Sequence, residues 1–160
     1  MDKAAGGLID WAASGDKRGS EVRIEAFVGE WTIDRTIEDV RAGRNGTFTG
    51  RATFSAAAGG LAYREEGRLA FGDGTAMTAT RDYHWRDAGG GVIEVRFSDG
   101  RFFHRFLPEE PTPSDVHHCN PDVYRVRYDF ARWPLWRAEW RVAGPRKDYS
   151  MVSRYRRASR

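Results

Sequence analysis

Four ionisable side chains fall where a folding core alone would take aliphatic residues: Arg35, Glu65, Arg81 and His104. Each stands at an alternate position of a stretch whose other alternate positions hold residues such as Trp, Ile, Phe or Tyr. An ionisable group inside a protein costs on the order of several kcal/mol unless it is paired. Two chemistries meet that cost. Arg35, Glu65 and Arg81 can close into an ion-pair network that leaves no room for a guest. Alternatively, the planar donor forks of the arginines hold a carboxylate or phosphate. Two arginines against one glutamate leave a positive surplus, which favours an anionic guest.

Tyr63, Tyr83, Tyr124, Tyr128 and Tyr149 add hydroxyls to the same faces. Buried tyrosines usually find a hydroxyl partner, so core packing accounts for most of them and leaves one or two to orient a ligand. Trp85, Trp136, Trp140 and Phe97 would form an apolar wall. Catalysis would need a base, and Glu65 or His104 could serve inside such a cavity, with Tyr or Arg stabilising charge. No nucleophile elbow, phosphate loop or supported Cys–His pair is visible.

His117-His118-Cys119-Asn120 lies in a stretch broken by Pro108, Pro111, Pro113 and Pro121. Proline cannot donate to a sheet ladder, so residues 107–121 read as one long loop that could cover a cavity mouth. Adjacent histidines in an extended segment point to opposite sides, so one of the pair, taken as His118, could reach the mouth. No histidine pair has helical metal-ligand spacing and Cys119 has no second cysteine beside it, so no metal site is expected. A haem held by a single axial His remains open. Cys119 itself reads as an inert thiol.

These side chains must be positioned by strands. Period-two alternation runs through Trp31–Ile37, Phe48–Phe54, Leu61–Leu69, Arg81–Trp85, Ile93–Phe97, Phe102–Phe106, Tyr124–Phe130, Trp136–Val142 and Tyr149–Tyr155. Turn signals separate them, among them Arg44-Asn45-Gly46, Gly72-Asp73-Gly74 and Asp99-Gly100. Phe102, His104 and Phe106 share the inward face of their strand. About nine short strands with one apolar face predict a single all-β, antiparallel up-and-down barrel, since curling closed removes the sheet's edges. Ser20–Phe27 predicts about two turns of helix ahead of the first strand.

The chain has 160 residues, 40% hydrophobic and 13% aromatic, which suits one domain with a ring-rich core. Residues 1–19, rich in Ala, Gly, Ser and charge, read as a disordered leader; 20–157 form the barrel domain and 158–160 a tail. Net charge is +3, with 26 basic and 23 acidic residues, and the surplus gathers in the C-terminal tail as a solvated end. No apolar run is long enough to span a membrane, so no membrane insertion is expected. The single Cys119 rules out an internal disulfide and points to the cytoplasm. Oligonucleotide-binding barrels carry aromatics on an exposed basic face. Here the aromatics fall on the inferred interior, so nucleic acid is not expected as a partner.

Gly29-Glu30-Trp31 at the start of the first strand, with Arg154–Arg157 at the end of the last, resembles the calycin superfamily of lipocalins and fatty-acid-binding proteins. The resemblance implies a calycin-like barrel whose Gly-x-Trp packs beneath a basic side chain of the last strand, a cation over an indole face. It also implies interior Arg and Tyr as acid-binding groups. The pattern from Phe27 to Arg157 further resembles a bacterial family, the domain of unknown function 6314. The matching stretches include Phe27-Val28-Gly29-Glu30-Trp31, Asp99–His104, His117–Tyr124, Trp133–Trp136 and Gly144–Tyr149. That second resemblance implies no activity.

The expectation is a monomeric or homodimeric barrel that binds a partly apolar anionic metabolite, such as a fatty acid or isoprenoid acid. Its ligand-binding candidates are Arg35, Tyr63, Glu65, Arg81, Tyr83, Trp85, His104, His118, Tyr124, Tyr128, Trp136, Trp140 and Tyr149. An isomerase or cyclase on the same barrel is the alternative reading, with a haem-binding barrel as the next. The sequence names no cofactor.

Overall fold

The computed structural model describes residues 22–159. The expected leader, residues 1–19, and Ser20 lie outside them. The described chain is all-β apart from one 3-10 turn, Ile24–Phe27. Ten antiparallel strands follow: β1 (Gly29–Asp39), β2 (Arg44–Ala57), β3 (Gly60–Phe71), β4 (Met77–Asp87), β5 (Ile93–Phe97), β6 (Phe102–Phe106), β7 (Ser114–Cys119), β8 (Asp122–Arg132), β9 (Leu135–Ala143) and β10 (Asp148–Arg157). Sequence neighbours pair except β6 with β7, and β1 also pairs with β10. The sheet therefore wraps into a nearly closed up-and-down barrel whose free edges are β6 and β7. Across that seam the Arg105 backbone N–H donates to Asp115 Oδ2 at 2.8 Å.

Alternation sets the interior. In β1, Trp31 and Ile33 are buried while Asp34 is exposed. Closing a narrow barrel also brings backbones close. Gly50 and Gly67 face each other across β2 and β3, and a Cβ on either would overlap the opposite strand's carbonyl oxygen.

Several local expectations are corrected. The strand count is ten, because β7 lies within the stretch expected to be a loop. Pro108, Pro111 and Pro113 all precede Ser114, and Pro121 follows Cys119, so the six residues between keep every N–H for pairing with β8. The expected two-turn helix is a single 3-10 turn. Arg23 before it is extended, with φ −120° and ψ 166°, and makes no side-chain cap. Asn45-Gly46 is no turn: both sit in β2, with Gly46 against the Phe71 ring. The chain reverses instead at 40–43, where Gly43 takes φ +63° and Asp39 Oδ1 accepts the Ala42 N–H at 3.0 Å. Finally, the register of β5 and β6 slips between Val95 and Arg96. This bulge turns Phe103 into the core and leaves Phe102 exposed.

One barrel end is plugged. Phe27 is fully buried, and the rings of Trp31, Phe54, Trp85, Phe130, Trp133 and Trp136 surround it at 4.9–6.5 Å between centroids. Trp31 Nε1–H donates to the Phe27 carbonyl at 2.8 Å. The Arg157 guanidinium lies 4.0 Å above the Trp31 ring and donates to the carbonyls of Ala26 and Val28. The cation over the indole implied by the calycin resemblance is thus present, and it staples the last strand to the plug.

Candidate ligand-binding site

Inside the barrel, beyond the plugged end, lies a cavity of about 470 Å³. Arg35, Tyr63, Glu65, Arg81, Tyr83, Trp85, His104, Tyr124, Tyr128, Trp136, Trp140 and Tyr149 all border it. His118 does not: it is exposed on the outer side of β7, and its neighbour His117 lines the cavity instead. Alternation could not choose between the two while β7 was read as loop. Phe103, Tyr155 and Lys147 also border the cavity and were not among the candidates. Tyr155 was legible, because it shares the alternating face of Tyr149, Met151 and Ser153. Phe103 was not, because only the bulge brings it in.

The deep polar layer is closed on itself. Arg35 donates to both Glu65 oxygens, at 2.8 and 2.9 Å, and its Nε donates to Ser153 Oγ at 2.6 Å. Tyr63 donates its hydroxyl to Glu65 Oε2 at 2.6 Å and lies 3.1 Å from the Tyr155 hydroxyl. Desolvation works against the Glu65 charge, only 4% of the residue being exposed, but the Arg35 fork and the Tyr63 hydroxyl outweigh it and hold the carboxyl below its ordinary range. Arg35 and Glu65 therefore face each other rather than a guest. Arg81 makes no ion pair with this network, though its charge lies near enough to help hold the Glu65 carboxyl down. It sits opposite Glu65 in the β3–β4 register, is exposed at the mouth and makes no ion pair among the described residues. The remaining cavity cation, Lys147, lies 3.1 Å from Asp122 and donates to the Tyr124 hydroxyl at 2.9 Å.

A second polar pair lies across the cavity. His104 Nε2 is 2.8 Å from the Tyr128 hydroxyl. Burial among Phe103, Phe106 and Trp140, assisted by nearby His117, pushes the His104 pKa down to about 3, so it is neutral at physiological pH. The ordinary value is 6.5. Because the unfolded chain takes up the proton first, stability should fall as pH drops below about 6.5 and keep falling to about 3. A loss of about 2 kcal/mol from this residue is expected between about pH 8 and about pH 5. Thermal melts of the wild type and of His104→Phe across that window check it: the variant should lose most of the slope, and an unchanged slope would show that His104 does not cause it.

The family of unknown function DUF6314 matches residues 27–157, nearly the whole described chain. The chain belongs to this family. No curated protein matches it. Among solved structures, the DUF6314 barrel is similar to the S-type phycobiliprotein lyase CPES from Guillardia theta. The TM-score is 0.64 at 12% identity, covering 91% of this chain and 98% of that one. A redesigned β-barrel, mFAP0, bound to DFHBI, aligns at TM-score 0.40 and 12% identity, over 82% of this chain and 99% of that one. The first likeness shows a shared fold. No described helix is long and apolar enough to cross a membrane. The ring-lined interior cavity is of a size that a small molecule can fill.

Proposed function

We propose that this protein binds a partly apolar organic acid, with its anionic group at the mouth beside Arg81 and its apolar body among the interior rings. The observation that carries the reading is the unequal state of the cavity's cations. Arg35 is neutralised by Glu65 and Lys147 by Asp122, whereas Arg81 has no carboxylate partner among the described residues. An exposed guanidinium over a ring-lined cavity suits a carboxylate or sulfonate on an apolar body. The cavity volume lies within the usual range for small-molecule sites, roughly 300–1,000 Å³. A binding role fits better than an isomerase or cyclase role for Glu65. Its oxygens already accept three hydrogen bonds, and a base so engaged is poorly placed to take a proton. We place the protein in the cytoplasm, on its lone cysteine.

Binding of anilinonaphthalene sulfonate, an apolar ring system with one negative charge, tests the reading through the probe's own fluorescence. Arg81→Met is expected to weaken binding about tenfold while leaving the melting temperature unchanged, since the side chain is exposed and makes no ion pair. Equal affinity for the wild type and Arg81→Met would sink the acid-at-the-mouth reading. Native mass spectrometry of the protein purified from cells should show an added mass that an organic acid explains.

A further inference from the structure

The outer wall of the barrel is unevenly charged. On β8, β9 and β10 the residues that alternate with the buried Val126, Tyr128, Trp136 and Tyr155 face outward. Six exposed arginines stand among them: Arg125, Arg127, Arg137, Arg141, Arg154 and Arg156. Three carboxylates share the face. Glu139 pairs with Arg127, Asp148 pairs with Arg141, and Asp129 lies 3.5 Å from Arg137. Arg125 and Arg154 have no carboxylate partner among the described residues, although Asp34 stands opposite Arg154 on β1. The Arg156 guanidinium donates to Thr32 Oγ1 at 3.2 Å. The ladders also set like charges face to face, Arg125 against Arg141 and Arg137 against Arg154. Like charges directly opposite destabilise a sheet, so folding alone does not account for them. On the β2–β3 wall, by contrast, Arg51 pairs with Glu30 and Arg64 with Asp82. Exposed aliphatic side chains lie among the unbalanced arginines. Leu135, 52% exposed, borders an outer groove with Arg132, Arg137, Arg154 and Arg156. Val116, 38% exposed, borders a second with Arg125, Arg127 and Arg141. No exposed residue of β8–β10 is aromatic.

We propose that the outer face of β8–β10 docks the barrel on an anionic lipid bilayer, lying on the surface without crossing it. Guanidinium groups spread over three neighbouring strands meet an array of anions rather than a single phosphate. Each basic residue brought to an anionic membrane surface tightens binding about fivefold. Lipid phosphates accept the planar donor fork in pairs, and their charge relieves the repulsion between the opposed arginines. A nucleic-acid duplex supplies similar charge but leaves Leu135 and Val116 in water, whereas a bilayer interface takes aliphatic side chains in. Single-stranded nucleic acid calls for exposed rings on which bases stack, and this face has none. The docking is independent of the guest in the interior, because none of the six arginines borders the cavity.

Co-sedimentation at low salt with vesicles of equal parts phosphatidylglycerol and phosphatidylcholine tests the docking. The wild type is expected to pellet with these vesicles, to stay in solution with pure phosphatidylcholine, and to be released as salt is raised. Arg125→Gln/Arg154→Gln should weaken vesicle binding about twentyfold and leave the cavity's affinity for anilinonaphthalene sulfonate unchanged. Arg51→Gln/Arg64→Gln removes the same charge from the β2–β3 wall and should change vesicle binding less than about threefold. Leu135→Ser should weaken it about threefold. All five residues are exposed, so the melting temperatures of the variants should match that of the wild type. Should a variant fail to fold, the wild-type contrast between the two vesicles still decides. No binding to the anionic vesicles, or equal losses from the two double variants, would overturn the proposal. So would wild-type binding to a duplex RNA oligonucleotide that is tighter than to vesicles and insensitive to Leu135→Ser, which would assign the face to nucleic acid. The acid-binding reading stands or falls separately, on the cavity titration with Arg81→Met.

Discussion

Glu65→Leu is expected to cost about 3–5 kcal/mol of stability, more than its few contacts suggest. The carboxylate accepts two hydrogen bonds from Arg35 and one from Tyr63, and the Arg35 side chain is 11% exposed. Removing the acid strands a guanidinium among Phe48, Ser153 and the Tyr155 ring with nothing of opposite charge. Desolvation opposes the Arg35 charge, and the Glu65 bond is what overrides it. Chemical denaturation measures the loss. Arg35→Met combined with Glu65→Leu should recover most of it, because an apolar pair of similar volume needs no compensation. A loss below about 1 kcal/mol in the single variant would mean that water reaches the pair and that the deep layer is no closed network. The network's pH signature has a definite sign. The folded Glu65 value lies below the ordinary 4.5, so its contribution is present above that value and is lost as pH falls through the folded one.

Phe27→Ala is expected to cost a similar amount, about 3–5 kcal/mol, for a different reason. The Phe27 ring is fully buried and has aromatic partners on most sides. Truncation leaves a cavity lined by rings that are anchored on five separate strands and on the turn between β8 and β9, so they cannot collapse into the space. Urea melts give the size of the loss. The variant should also regain stability on adding benzene, as apolar cavities do when filled. A loss under about 1 kcal/mol, with no response to benzene, would show that the 3-10 turn does not close the barrel end.

Much of the site could be read from alternation. Side chains in a strand change face at every residue, so placing Trp31 inward also places Arg35 inward. The same rule carried Tyr63, Glu65, Tyr83 and Trp85 to the interior, and the cavity is lined by them. Reading failed where the period was interrupted. The bulge at Val95–Arg96 exchanged Phe102 for Phe103, and nothing in the local sequence marks it. The prolines around β7 hid a strand whose own residues were free to pair, and with it the fact that His117 rather than His118 faces inward. Asn45-Gly46 favours a turn locally, yet the pairing of β1 with β2 runs through both residues. There the ladder's many hydrogen bonds outweigh a dipeptide's preference.

Along unbroken strands the sequence by itself determined which side chains enter the barrel, since that follows from spacing along one strand. Tertiary structure alone decided which of them meet. Arg35 bonds Glu65 across 30 residues of chain and Ser153 across 118, through registers set by ladders on both sides of β1. Arg35 and Arg81 look alike in sequence, each a guanidinium on an apolar face. Yet Arg35 takes the Glu65 carboxylate while Arg81, opposite Glu65 in the ladder, is left exposed, because Coulomb attraction and desolvation depend on distances that only the closed sheet fixes.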